Sequence, residues 1–229
     1  MPTIFLDIET VPAGEKPTVD LLKPPGQMKL ADTIAKWRND TVARAEDLDD
    51  IYRKRALSYI DGRILCISYA IEKGPVMGLI DDDEEALINR FEEMLLAEDN
   101  TIFKRANVLV GHNAMSFDFP YLFLRAAKYS NSNIKSLFSV PNPWEFFRDT
   151  MKMFCSTDRK GMVSLARACA FFGITGVKDG MEGSRVYDEY LAGNGQGILE
   201  YCMRDVDNLR KLYLKLTYGE VDSSGIRNV

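Results

Sequence analysis

Thr3-Ile-Phe-Leu-Asp-Ile-Glu-Thr10 decides how this 229-residue chain reads. Residues 3–8 are an apolar run of the kind that makes a buried strand, yet Asp7 lies within it and Glu9 directly after it. On a strand, positions i and i+2 project from one face. Asp7 and Glu9 therefore share a side, while Leu6 and Ile8 point the other way. Two carboxylates ~4 Å apart repel by about 1–4 kcal/mol, depending on the local dielectric. A divalent cation turns that cost into binding. Taken alone, the stretch also fits a strand that ends near Asp7 and leaves both acids in water.

The flanking sequence places this strand in an α/β pattern. Residues 11–27 are rich in Pro, Gly and Lys and read as loop. Residues 28–57 are polar with scattered apolar positions and predict one or two helices inserted after the first strand. Arg63–Ile71 predicts a second strand, Lys73-Gly74-Pro75 a turn, and Val76–Ile80 a third strand, the pair forming an antiparallel hairpin. Leu87, Ile88, Phe91, Met94 and Leu95 recur at helical spacing within Asp82–Leu96, and Asp82 with Glu85 resembles a capping box. Asn107–Gly111 predicts a short fourth strand, Pro120–Lys128 a helix, and Pro143–Met153 a fifth strand. Ser164 is placed to cap a helix that runs to Phe172 and stops at Gly173. A last long helix lies within Gly195–Leu216. The expectation is one α/β domain over residues 1–229, a mixed five-stranded sheet flanked by helices, with a helical insertion at about 11–60.

Two further acids stand out. Asp118 follows the fourth strand and a polar turn, directly before Phe119-Pro120, where it could cap the next helix. Asp205 falls on the stripe Ile198, Tyr201, Cys202, Asp205, Leu209, Leu212, Leu216, which repeats at helical spacing and predicts a buried face. Buried acids are rare unless paired or metal-bound, so Asp205 calls for a basic partner or a cation. Asp207 falls on the polar side of the same helix. Tyr201, one turn before Asp205, fits either a core position or a functional one.

Composition narrows the chemistry. His112 is the one histidine, so no two-histidine metal site can form, and a Ser-His-Asp triad would have to use it. If the chain is an enzyme, carboxylates carry the reaction. The cysteines Cys66, Cys155, Cys169 and Cys202 show no CxxC pairing, lie in apolar stretches and suggest reduced core residues of an intracellular, cytoplasmic protein. The start MPTIFLDIET lacks a basic n-region, and no apolar run approaches the ~20 residues of a membrane span, so no membrane partner is expected. The net charge of −5 gives no general affinity for nucleic acid, but the charge is uneven. Residues 79–100 hold nine acids and one base, whereas residues 119–162 hold seven Lys/Arg and three acids.

Asp7-x-Glu9, Asn113-x-x-x-Phe117-Asp118 and Tyr201-x-x-x-Asp205, in that order, resemble the three motifs of the DEDD exonucleases. These are proofreading-type enzymes on a ribonuclease H-like fold. Asp-Ile-Glu-Thr and the tyrosine of the third motif look closest to the proofreading domain of B-family DNA polymerases and to its free-standing relatives. The resemblance spans residues 3–217. It differs in two ways: the insertion at 11–60 is large, and Glu200 stands where one branch of the family has a histidine.

The resemblance implies a 3′–5′ exonuclease acting on DNA 3′ ends, single strands preferred. Two Mg²⁺ or Mn²⁺ ions would be held by Asp7, Glu9, Asp118 and Asp205, and Tyr201 would orient the attacking water. Asn113, Phe117 and backbone groups near Thr10 would grip the terminal nucleotides, with core packing an alternative for Phe117. Lys152, Arg159 and Lys160 are candidate phosphate contacts or simply solvated charges. No polymerase segment follows, so the expectation is a protein that acts alone or with a separate partner, a polymerase or a single-strand-binding protein. An exoribonuclease and a catalytically inactive nucleic-acid-binding module are the competing readings.

Overall fold

A computed structural model describes residues 1–98, 102, 107–140, 142–155, 162–174 and 181–218. Arg159 and Lys160 lie outside these residues. The chain forms two compact units, Thr10–Arg63 and Met1–Glu9 together with Ile64–Val229.

Strands β1 (Thr3–Pro12), β2 (Gly62–Ile71), β3 (Met77–Ile80), β4 (Val108–Gly111) and β5 (Phe147–Asp149) make one sheet in the order β3-β2-β1-β4-β5. β4 runs parallel to both β1 and β5, with Ile4 opposite Leu109 and Val110 opposite Arg148. β2 and β3 form the expected antiparallel hairpin, Cys66 facing Ile80. The sheet is therefore mixed, and the strand with the two acids is its middle strand.

Alternation along β1 decides what covers each face. Ile4, Leu6 and Ile8 enter the main core, with Leu87, Ile88 and Phe91 of α3 (Glu84–Glu98) and Phe119 and Leu122 of α4 (Asp118–Lys128). Phe5 points the other way, to Val206 and Leu209 of the last helix in the sequence, Gly195–Tyr218. A buried ion pair ties the first layer to the sheet. Arg125 Nε lies 3.1 Å from Glu84 Oε1, which also accepts the Ile64 amide at 2.7 Å, while Tyr129 donates to Glu84 Oε2 at 2.7 Å.

Two sequence expectations need adjusting. α3 is capped by Asp83, whose Oδ1 accepts the amides of Glu85 and Ala86, and not by Asp82. α4 begins at Asp118, two residues before Pro120, because that carboxylate is used elsewhere. The short helices α5 (Ser132–Phe138), α6 (Pro143–Phe146), α7 (Thr150–Cys155), α8 (Leu165–Phe171) and α9 (Val186–Leu191) fill the sequence up to the last helix, α10. Ser164 caps α8 as expected, accepting the Arg167 amide, and Gly173 follows with φ +68°.

The Thr10–Arg63 unit holds α1 (Ala31–Asn39) and α2 (Thr41–Lys54). Its loop is tied down by polar contacts in place of a large core. Tyr52 donates to the Gly14 carbonyl at 3.2 Å, Arg55 to the Glu15 carbonyl at 2.7 Å, and the Ala13 amide to the Asp61 carbonyl at 3.0 Å. α1 buries no side chain.

Candidate active site

Phe5, Asp7 and Glu9 continue one face of β1, the face covered by α10. Phe5 meets Tyr213 edge-on at 5.7 Å and packs with Val206 and Leu209. Farther along β1, the Cys202 thiol donates to Asp7 Oδ2 at 3.4 Å. α10 thus crosses the strand in the opposite direction, which carries Cys202, Tyr201 and Asp205 toward the two acids. Ligand atoms of Asp7, Glu9 and Cys202 all lie within 4.8 Å of one another. Asp7, Glu9, Tyr201 and Asp205 are half-buried, and Cys202 is fully buried.

Asp118 reaches the same stretch of β1 from the turn that follows β4. Its Oδ1 accepts the Ile8 amide at 3.1 Å, between the two acidic positions. The turn from β4 to Asp118 is tightly constrained. A Cβ on Gly111 would lie 2.2 Å from the Ala114 Cβ, so only glycine lets the chain fold back here. Asn113 has φ +62°, a conformation asparagine tolerates better than most residues. The buried Asp149 at the end of β5 holds the turn: Oδ1 accepts the Asn113 amide at 2.9 Å and Oδ2 the Met115 amide at 3.2 Å. His112 bridges Thr150 Oγ1 at 2.9 Å and the Val163 carbonyl at 2.8 Å, and burial pushes its pKa down, so it has a structural role.

Electrostatics separates these acids from ordinary surface carboxylates. Burial, then the charges of Asp118, Glu9 and Asp205, push Asp7 well above the usual carboxylate range. Glu9 is raised likewise by burial, then by Asp205, Cys66 and Asp118. Burial lifts Asp118 to about 7 against the lowering effect of the Ile8 amide. Burial lifts Asp205 to about 6, opposed by its hydrogen bond from Tyr201 and by Arg204. Asp7 and Glu9, buried and raised further by the charges of neighbouring carboxylates, suit divalent cations, and an oxygen-rich donor set suits Mg²⁺ or Mn²⁺. Tyr201, hydrogen-bonded to Asp205, is raised by burial and by the neighbouring acids, so its phenol stays protonated.

The sequence-nominated contacts divide. Asn113 lies on the turn that leads to Asp118. Phe117 packs on the main core with its ring 5.4 Å from Tyr121, in keeping with the core alternative. Thr10 is buried in the smaller unit, its hydroxyl donating to the Ala56 carbonyl at 2.7 Å. The ammonium of Lys152 lies 5.7 Å from the Trp144 ring centroid. Sequence reading missed Cys202 as a neighbour of Asp7, although it stood on the apolar stripe, and missed Asp149, whose one signal is an acid ending a short strand.

Comparison with known proteins agrees with this arrangement. Residues 64–226 match the family described as a predicted 3′–5′ exonuclease related to the exonuclease domain of PolB. That span includes Asp118, Tyr201 and Asp205 and begins after Asp7 and Glu9. A solved structure of the family B DNA polymerase from the hyperthermophilic archaeon Pyrobaculum calidifontis superposes with a TM-score of 0.58 at 16% identity. The match covers 94% of this chain and 24% of the polymerase, so the chain spans about a quarter of that protein's length and shares its fold there. No curated protein sequence gives a significant match. Among the described residues, no helix is long and apolar enough to cross a membrane. The sheet has the ribonuclease H-like arrangement anticipated from the motif order, and the chain belongs to the family of predicted 3′–5′ exonucleases related to the exonuclease domain of PolB.

Proposed function

We propose that the chain removes nucleotides one at a time from DNA 3′ ends, preferring single strands, with Asp7, Glu9, Asp118 and Asp205 holding two Mg²⁺ or Mn²⁺ ions. One observation carries this reading: Asp7 of β1, raised by burial, also feels the charges of Asp118 from α4, Glu9 from β1 and Asp205 from α10, so carboxylates from three elements converge there. When bound, the ions would acidify water and neutralise charge at the scissile phosphate. A water oxygen attacks the phosphorus of the last phosphodiester and the bond to O3′ breaks. A 5′-mononucleotide leaves, the attacking water gives up a proton to solvent, and O3′ of the shortened strand takes one up to become a 3′ hydroxyl.

The chain's own groups divide the work. Asp7 lies at the centre, since the other three acids all act on it. Asp118 is aimed by the Ile8 amide and Asp205 by the Tyr201 hydroxyl. Tyr201 cannot act as a base while its pKa is raised, so it orients water by donating or accepting a hydrogen bond. Asn113 is presented by the Asp149-pinned turn to the terminal nucleotide. Residues 1–229 are read as one exonuclease domain in which the Thr10–Arg63 unit is the insertion.

The test is digestion of 3′-labelled single-stranded DNA with Mg²⁺, beside a matched RNA oligomer. The wild type should release mononucleotides from DNA, EDTA should stop it, and D7A should be inert. Undiminished digestion by D7A rejects the assignment, and faster RNA digestion transfers it to an exoribonuclease.

A further inference from the structure

Trp144 on α6 is 69% exposed, an unusual state for an indole. The Lys152 ammonium lies 5.7 Å from its ring centroid, and Arg148 donates to its carbonyl at 2.8 Å. This patch is joined to the candidate active site through a single atom. Asp149 Oδ1 accepts the Asn113 amide at 2.9 Å and the Lys152 amide at 3.4 Å. The residue that leads into the Asp118 turn and the residue that contacts Trp144 are thus fixed from the same oxygen.

The local charge favours an anion. The described residues of 143–172 contain Arg148, Lys152 and Arg167 against Glu145 and Asp149. Of these acids, Asp149 is buried and spent on backbone amides, and Glu145 accepts from Asn142 at 2.8 Å. An open aromatic face beside an ammonium matches a ligand that offers a flat base and a phosphate together. Stacking on aromatic rings combined with cationic contacts to the backbone is how single strands are held without sequence preference.

We propose that Trp144 and Lys152 form a holding point for the single strand behind its 3′ end, with a base stacked on the indole and a phosphate on the ammonium. This rests on the nuclease reading above, of which it specifies the substrate grip. Its purpose is to keep the strand engaged while the terminal nucleotide is replaced by the next, so it acts on strands of several nucleotides and not on the shortest ones.

The chain has two tryptophans, so W37F leaves Trp144 as the sole indole. In EDTA, titrating oligo(dT) into W37F should quench Trp144 emission saturably. K152A and added salt should both weaken that response. In Mg²⁺, W144A should raise KM for a single-stranded oligomer about tenfold, leave kcat unchanged, and leave a dinucleotide's KM unchanged. W144F should recover part of the loss, and an unchanged melting temperature would show that W144A still folds. Absence of quenching, or equal KM values for W144A and wild type on the oligomer, overturns the proposal. Quenching by oligo(dT) in a protein that releases no nucleotide would instead sink the nuclease reading and leave the holding point standing.

Discussion

Glu84 and the acids around Asp7 are built on opposite plans. Glu84 is compensated on all sides: Arg125 stands 3.1 Å from Oε1, the Ile64 amide donates to the same oxygen, and the Tyr129 hydroxyl donates to the other. Asp7 instead lies among like charges, with Asp118, Glu9 and Asp205 all raising it. A satisfied buried acid holds elements together. An unsatisfied cluster of acids stores repulsion that a cation releases. On the proposed reading the difference separates an acid kept for the fold from acids kept for chemistry, and it can be attacked from either side.

The largest effects should be opposite in kind. D7A should bring nuclease activity to the no-enzyme background while the protein stays folded, as read by 3′-end digestion beside circular dichroism. E84A should leave Arg125 buried and unpaired and cost about 3–5 kcal/mol of stability, as read by denaturant unfolding. An E84A protein as stable as wild type would erase the contrast.

Asp118→Asn sharpens it further. Asn Oδ1 can still accept the Ile8 amide, while one charge leaves the cluster. In EDTA at pH 8, D118N should therefore melt a few degrees above wild type, even though its activity is lost. The sign follows from linkage. Asp118 sits at about 7 in the folded chain, above its ordinary 3.8, so the folded state holds the proton more tightly than the unfolded one. Its contribution to stability is present in acid and is lost as pH rises from about 4 to about 7. The gap in melting temperature between D118N and wild type should widen over that window and then level off. Mg²⁺ should close it, raising the wild-type melting temperature at pH 8 more than at pH 5.

The smallest effect expected is that of Y201F. On the proposed reading Tyr201 keeps its proton and only orients water, so its loss should slow turnover by about 10- to 100-fold while Mn²⁺ affinity stays near that of wild type. A matching loss of affinity would make Tyr201 a support for the Asp205 carboxylate and nothing more.

Much of this was legible before any coordinates. Alternation along Thr3–Thr10 put Asp7 and Glu9 on one face, and helical spacing put Tyr201, Cys202 and Asp205 on another, because both periods are local properties of the backbone. The hairpin of β2 and β3 and the Ser164 cap were legible for the same reason. What spacing could not give was company. That Glu84 meets Arg125, 41 positions on, or that Asp149 clasps the Asn113 turn, depends on long-range packing of β2, α3, α4 and β5. The capping assignment slipped from Asp83 to Asp82 because three consecutive aspartates offer equal local signals. Gly111 gave no sequence cue, since its need arises from an Ala114 side chain folded back against it.

The most direct test of the acid cluster is calorimetric titration of Mn²⁺ into the wild type and into D7A, without substrate. The account predicts about two ions per wild-type chain, with affinity rising from pH 5 to pH 8, and little or no binding by D7A. Equal binding by both proteins, or none by the wild type at pH 8, would contradict it.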